Sequence, residues 1–137
     1  MFNNVVLAVS GSDHAHRAVP VAAELAKLAG GKVIVLHVRE HDRARGQVWE
    51  LETQEVAETV VRHTVDEIKK AGATAEGEVI RTALGKVAEA LVDSARDHKA
   101  DAIVMGSWGR SDLAGLVLGS VAHKVIHLSD KTVVVAR

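Results

Sequence analysis

The sequence predicts an α/β fold: an open five-stranded parallel sheet with helices on both faces. Short apolar runs alternate with longer segments of helical periodicity in the order βαβαβαβαβ, which requires right-handed crossovers and a parallel sheet. Aromatic residues make up only 2% of the chain, so the core must be built from valine, alanine, leucine and isoleucine. That composition suits β-branched strands covered by alanine-rich helices.

Length and composition limit the classes of protein that fit. The 137 residues, 47% of them hydrophobic, are enough for one packed domain and too few for two, so residues 1–137 are interpreted as a single domain. The formal net charge of −1 argues against nucleic-acid binding, and the absence of cysteine excludes disulfides and thiol catalysis. No apolar run approaches the roughly 20 residues that span a bilayer. We therefore expect a cytoplasmic protein that binds neither nucleic acid nor membrane.

The predicted elements follow one another without a linker or an internal repeat. Pro20 predicts a kink or a late start of helix one, because proline inside a helix costs roughly 3 kcal/mol. Glu76 and Glu78 indicate that strand three lies near an edge of the sheet. In chain order the elements are strand one at 5–9, helix one at about 14–29, strand two at 32–38, a charged loop at 39–47, helix two at about 48–70, strand three at 74–81, helix three at about 85–98, strand four at 102–105, helix four at 119–127 and strand five at 131–136.

Glycines between strand four and helix four are the most informative feature of the chain. Gly106 and Gly109 lie three residues apart, and the pair Gly119-Ser120 begins ten residues after the second glycine. Glycine permits positive φ and close approach of a phosphate to the backbone, and the unpaired amides at a helix N-terminus attract anions. The spacing alone is equally consistent with a phosphate-binding loop and with a plain turn followed by a helix cap.

This segment resembles the G-x2-G-x9-G-[S/T] nucleotide-binding signature of the universal stress protein family and matches it at every fixed position. Further similarity lies in residues 6–9 with Gly11-Ser12, in Leu36-His37-Val38 and in Gly85. The resemblance covers essentially the whole chain. It implies the strand order 3-2-1-4-5 of a Rossmann-like, adenine nucleotide alpha hydrolase-like fold, with the ligand beyond the carboxyl ends of strands one, two and four.

By the same resemblance the ligand is ATP, with Mg²⁺ on its phosphates. Ser10 stands where ATP-binding members commonly have an aspartate, and a hydroxyl lacks the reach and charge of a carboxylate. Losing one charge-assisted bond costs about 1.5 to 3 kcal/mol, roughly tenfold or more in affinity, which weakens binding without abolishing it. The implied contacts are a triphosphate surrounded by Gly106, Gly109, Gly119 and Ser120, an adenine beside the backbone of Val38, and secondary contacts from Ser107 and Val121.

Two functions follow from these observations. The first is a universal stress protein that binds ATP and acts in the stress response. Slow ATP hydrolysis or autophosphorylation is left open by the resemblance, although no catalytic constellation is visible. The alternative is a nucleotide-independent, homodimeric stress-signalling protein that retains the loop as structure. An adenylate-forming or nucleotide-hydrolysing enzyme on a related fold would need a base that the sequence does not show.

Strand five predicts how the chain assembles. Its residues 132–135 have high β-propensity and no proline, so an exposed edge there is expected to pair with a second copy about a two-fold axis. The resemblance to universal stress proteins implies the same homodimer. The alternative is a monomer whose edge is guarded by the charges of Lys131 and Arg137.

Several histidines are weighed as candidate functional residues. His123 and His127 lie four residues apart on helix four, close enough to share a metal, but no glutamate lies between them. The helix C-terminus also favours a cationic His127, so no metal site is predicted. His37 lies within an apolar strand and is interpreted as a hydrogen-bonded core residue rather than a catalytic base. His14 and His16 are interpreted as solvated surface residues.

A series of glutamates and one tryptophan complete the candidates. Glu50, Glu52, Glu55 and Glu58 have helical spacing and are interpreted as a solvated face of helix two. Trp108 lies within the glycine segment, where it covers either the ligand or the loop.

Overall fold

Six strands and four helices make up the described part of the chain, which in this computed structural model comprises residues 1–10, 16–107 and 118–137. They alternate nearly as the sequence predicts. In chain order they are β1 (Asn4–Val9), α1 (Ala18–Ala29), β2 (Lys32–Ala44), β3 (Gln47–Glu50), α2 (Gln54–Lys70), β4 (Thr74–Ala83), α3 (Val87–Asp97), β5 (Ala102–Gly106), α4 (Ser120–Leu128) and β6 (Thr132–Ala136).

Five of the strands run parallel in the order β4-β2-β1-β5-β6. Val5 of the central strand β1 pairs with Val33 of β2 on one side and with Ala102 of β5 on the other. This confirms the predicted order 3-2-1-4-5, in which strands three, four and five are β4, β5 and β6. The physical reason is burial, since β1 and β5 are almost wholly buried whereas the two outer strands carry exposed positions.

A sixth strand makes the sheet mixed, so the prediction of five strands, all parallel, is wrong in this respect. β2 continues through Ala44, where the sequence predicts a charged loop. Arg45 and Gly46 adopt positive φ of 51° and 76°, and β3 then returns antiparallel with Trp49 opposite Asp42. Two successive left-handed residues make a tight turn whose twist suits a hairpin. The charged segment therefore forms a β-hairpin that extends one end of the sheet.

The sequence predicts that helix two begins near residue 48, but α2 begins at Gln54. Thr53 caps it, because its hydroxyl accepts a hydrogen bond from the Val56 amide at 3.2 Å. The buried face of α2 consists of Ala57, Val61, Thr64 and Ile68. Only the start of the prediction is wrong, since the residues before Gln54 belong to β3 and to the β3–α2 connection.

Helix α1 confirms the late start that Pro20 predicts. It begins at Ala18, which makes Pro20 its third residue. Amides in the first turn have no partner within the helix, so the missing N–H of proline costs little there. The helix ends at Gly30, whose φ of 64° is the left-handed conformation that glycine adopts easily.

Two apolar clusters hold the helices on the faces of the sheet. Alternate residues of β1 point to opposite sides, with Leu7 in the cluster under α1 and α2 and Val6 in the cluster under α3 and α4. Gly77 of β4 lies so close to α2 that an added Cβ would collide with the side chain of Val61. No helix within residues 1–10, 16–107 and 118–137 is long and apolar enough to cross a membrane.

Candidate functional site

An open crevice of about 300 Å³ lies at the carboxyl end of β1, beside the middle of β2. The ends of parallel strands are where open α/β sheets bind their ligands. The β3–α2 connection, the first residue of α3 and the second residue of α4 complete the crevice. Its lining residues are Val9, Ser10, His37, Val38, Arg39, Glu40, Leu51, Glu52, Val87 and Val121.

Three of the predicted site residues line this crevice: Ser10, Val38 and Val121. They come from the end of β1, the middle of β2 and the first turn of α4, so the topology brings together residues far apart in the sequence. The lining is mixed in character, with apolar side chains beside one cation and two carboxylates. A concave, partly apolar site with a few polar groups is typical of small-molecule binding.

Four other predicted residues do not line the crevice: Gly106, Ser107, Gly119 and Ser120. Gly106 ends β5, and the amide of Ser107 donates to the Ala136 carbonyl at 3.3 Å. Gly119 is the N-cap of α4 and Ser120 is its first residue, two residues and one residue before Val121. Gly109 lies outside the described residues, as do Trp108 and His14.

Within the described residues, no side chain caps the N-terminus of α4. Gly119 is the N-cap with φ −61° and ψ 155°, it provides no side-chain hydrogen bond to the helix, and the first turn carries no acidic residue. The unpaired amides at this end carry a partial positive charge, which favours an anion. Because Val121 of the same turn lines the crevice, this charge lies at the edge of the crevice.

His37 is a core histidine with both ring nitrogens engaged, as predicted. Its side chain is only 4% exposed. Nδ1 lies 2.7 Å from the Val9 carbonyl oxygen, and since a carbonyl only accepts, Nδ1 carries a hydrogen and donates it. Nε2 lies 2.6 Å from Oε1 of Glu52. The ring therefore connects the end of β1 to the β3–α2 connection.

The interpretation of four glutamates as one solvated helix face is wrong. Only Glu55 and Glu58 lie on α2, whereas Glu50 ends β3 and Glu52 lies in the connection that follows. Glu52 reaches the buried His37. The spacing of the four glutamates matches a helix, but the chain turns in a hairpin before them. That turn, which the periodicity does not indicate, brings Glu50 and Glu52 back toward the sheet.

Glu50 joins two arginines beside the crevice. Nη1 of Arg39 donates to Oε2 of Glu50 at 2.9 Å, and Nε of Arg81 donates to Oε1 at 2.8 Å. The hydrogen bond from Arg81 lowers the pKa of Glu50 from its ordinary value, desolvation opposes this, and the charges of Arg81, Arg39 and His41 lower it further. This network fixes the hairpin against β2 and β4.

The pair of histidines on α4 is placed as the spacing predicts. The ring centroids of His123 and His127 lie 4.6 Å apart, edge to face. Over the described ranges, no group of three or more histidine, cysteine, aspartate or glutamate residues is arranged to hold a metal ion.

Comparison with known proteins gives a consistent result over the whole chain. The model of the universal stress protein family matches residues 1–137. A universal stress protein of Thermus aquaticus is 33% identical over 128 residues, which cover 92% of each chain.

Solved structures are similar over the same length. The universal stress protein of Archaeoglobus fulgidus superimposes with a TM-score of 0.80 at 32% identity, covering 100% of both chains. A universal stress protein from that organism in complex with dAMP has a TM-score of 0.72 at 30% identity, covering 100% of this chain and 98% of that one. A universal stress protein solved in complex with cAMP has a TM-score of 0.75 at 29% identity, covering 99% of this chain and 97% of that one.

Proposed function

Because the chain belongs to the universal stress protein family, we propose that it binds an adenine nucleotide in the crevice formed by β1, β2 and the start of α4. In the cell the ligand is ATP with Mg²⁺ on its phosphates, and the protein is a cytoplasmic regulator of the stress response. Two similar proteins with dAMP and cAMP bound support adenine as the base.

The N-terminus of α4, which no side chain among the described residues caps, is the observation that carries this proposal. Gly119 leaves the amides of the first turn uncapped, and the first turn holds no carboxylate that would repel a phosphate. In the proposed complex the triphosphate lies on Gly106, Gly109, Gly119 and Ser120. Ser107 and Val121 contribute secondary contacts.

The nucleoside occupies the other end of the crevice. The backbone of Val38 contacts the adenine, and Ser10 contributes a hydroxyl where a carboxylate is absent. A cavity of about 300 Å³ is at the lower end of the usual range for small-molecule sites, which suits a nucleoside with its phosphates extending toward α4.

A homodimer through β6 is part of the proposal. In the described part of the chain β6 pairs only with β5, so its outer edge presents backbone donors and acceptors to solvent. Such an edge favours pairing with another strand. A second copy related by a two-fold axis satisfies both edges at once.

A second candidate function rests on Ser10. Without a carboxylate at the end of β1, the chain would serve as a homodimeric interaction protein in stress signalling and keep the glycine segment only as structure. Calorimetric titration with Mg-ATP and Mg-GTP separates the two candidates. Saturable binding of ATP, and weaker binding of GTP, supports the nucleotide-binding protein; a dimer that binds neither nucleotide supports the second candidate.

A further inference from the structure

Two carboxylates line the crevice, and they differ in how they are held. Oε2 of Glu40 accepts a hydrogen bond from the Gly85 amide at 2.9 Å, which turns Glu40 toward the start of α3. Oε1 of Glu52 lies 2.6 Å from Nε2 of His37. Glu52 is therefore the carboxylate that is fixed against the end of β1, next to Ser10.

Glu52 is held in place from behind by residues that have little freedom to move. His37 is nearly fully buried, and its donation to the Val9 carbonyl fixes the ring. Nη1 of Arg39, whose side chain is only 13% exposed, lies 3.4 Å from the main-chain oxygen of Glu52. Both the side chain and the backbone of Glu52 are therefore positioned before any ligand arrives, which is the arrangement that a recognition residue needs.

One oxygen of Glu52 is left for a ligand. The Glu52 side chain is 28% exposed while it lines the crevice. Within the described residues, Oε1 meets His37 and Oε2 accepts no hydrogen bond. Because a hydrogen lies between Nε2 of His37 and Oε1, Oε2 carries none and can only accept, so the group it recognises must carry an N–H or O–H donor.

We infer that Glu52 is a specificity-determining residue, which accepts a hydrogen bond from a donor of the nucleoside: the ribose hydroxyls or the 6-amino group of the base. The inference rests on the proposed function, since it assigns a role within the same crevice. The carboxylate also repels phosphates and so directs them toward the N-terminus of α4. Ser10 offers no charge for either task.

The test compares Glu52→Ala, which removes the acceptor, and Glu52→Gln with the wild type. Glutamine has nearly the same size, and its amide N–H can donate to a neutral His37, which leaves the amide oxygen to accept from the ligand without the charge. Affinities are measured by calorimetry for Mg-ATP, for Mg-2′,3′-dideoxy-ATP, which lacks the ribose hydroxyls, and for Mg-inosine triphosphate, which lacks the 6-amino group. Glu55→Gln, three residues along on α2, is the matched control.

In the wild type we expect a preference of about tenfold or more for ATP over whichever analogue lacks the recognised donor. Glu52→Ala should bind ATP about tenfold more weakly and lose that preference, whereas Glu55→Gln should behave as the wild type. Glu52→Gln keeps an acceptor without the charge, so its preference should fall between those of the wild type and Glu52→Ala. The analogue that the wild type binds more weakly than ATP lacks the donor that Glu52 recognises.

Equal ATP affinity in the wild type and Glu52→Ala would overturn the inference and leave nucleotide binding itself intact. An equal loss for all three nucleotides in a variant that unfolds like the wild type would also overturn it, because recognition of one donor predicts an unequal loss. If the wild type binds none of the three, both the proposed function and this inference fail.

Discussion

Nε2 of His37 lies 2.6 Å from Oε1 of Glu52, across fifteen positions of sequence. The contact joins β2 to the connection that leaves the β2–β3 hairpin. Because the other ring nitrogen donates to the Val9 carbonyl, one buried side chain fixes three segments around the crevice. The crevice is thus supported by a polar group in an otherwise apolar sheet.

Replacing His37 tests that support. His37→Phe keeps an aromatic ring of similar shape but leaves the buried Val9 carbonyl and the Glu52 carboxylate without this partner. We expect a loss of about 1–3 kcal/mol in the free energy of unfolding, measured by urea denaturation. His16→Phe is the control, since the His16 side chain is 63% exposed, and it should change stability by no more than about 0.5 kcal/mol. Equal small effects of both variants would contradict the role of His37.

The ion pairs of Glu50 predict a pH dependence of stability. The pKa of Glu50 is lowered in the folded protein, so its pairing with Arg81 and Arg39 stabilises the fold above the ordinary glutamate pKa of about 4. That stabilisation is lost as the pH falls through the lowered value. Glu50→Gln should therefore be less stable than the wild type at pH 7, and the difference should vanish in stronger acid.

Urea denaturation of the two proteins at a series of pH values measures this difference. Glu58→Gln on the exposed face of α2 is the control and should show little effect at any pH. A Glu50→Gln difference that stays constant down to pH 2 would contradict the ion-pair explanation.

Close packing of β4 against α2 predicts a compensating pair of substitutions. Gly77→Ala places a Cβ against Val61 and 3.0 Å from Cγ2 of Val65, so it should cost about 1–3 kcal/mol. Val61→Ala should cost a similar amount by leaving a cavity. The double variant should be more stable than the sum of the two losses predicts, because the new methyl enters the vacated space. If the two losses in the free energy of unfolding, measured by urea denaturation, simply add in the double variant, then Val61 is not what excludes a side chain at position 77.

Sequence reasoning predicted the parallel strands and helices because their signals are local. The apolar runs around Leu7 and Val104 lie in central strands, and Pro20 gave the late start of α1. The hairpin escaped prediction because its strands are short and charged. Its available signals were Arg45-Gly46 as a turn and the neighbouring Val48-Trp49 as a strand.

Only part of the site could be predicted. Ser10, Val38 and Val121 followed from the resemblance, and they line the crevice. Glu52 did not follow from it, because its contact with His37 depends on how the hairpin turns the chain back. Periodicity assigns a side chain to a face of an element and says nothing about contacts made beyond the end of that element.

The β6 edge predicts a dimer that one proline disrupts. The Ala136 carbonyl accepts a hydrogen bond from the amide of Ser107, which follows β5, so the backbone groups of Ala136 face β5. Successive residues of a strand direct their backbone groups to opposite sides, so the amide of Val135 points away from β5, toward the outer edge. Val135→Pro should leave the fold intact and block pairing of two copies. Light scattering should give a dimer for the wild type and a monomer for the variant. A wild type that is monomeric at micromolar concentration would contradict the dimer.

Titration of Gly119→Asp with Mg-ATP tests the central claim, that phosphates bind at the start of α4. Aspartate is a favoured N-cap, so the variant should fold at least as well as the wild type while its carboxylate occupies and repels the phosphate site. We predict a loss of about tenfold or more in ATP affinity with adenosine affinity unchanged, and near-normal ATP binding by the neutral control Gly119→Asn. ATP affinity in Gly119→Asp equal to that of the wild type would contradict the account.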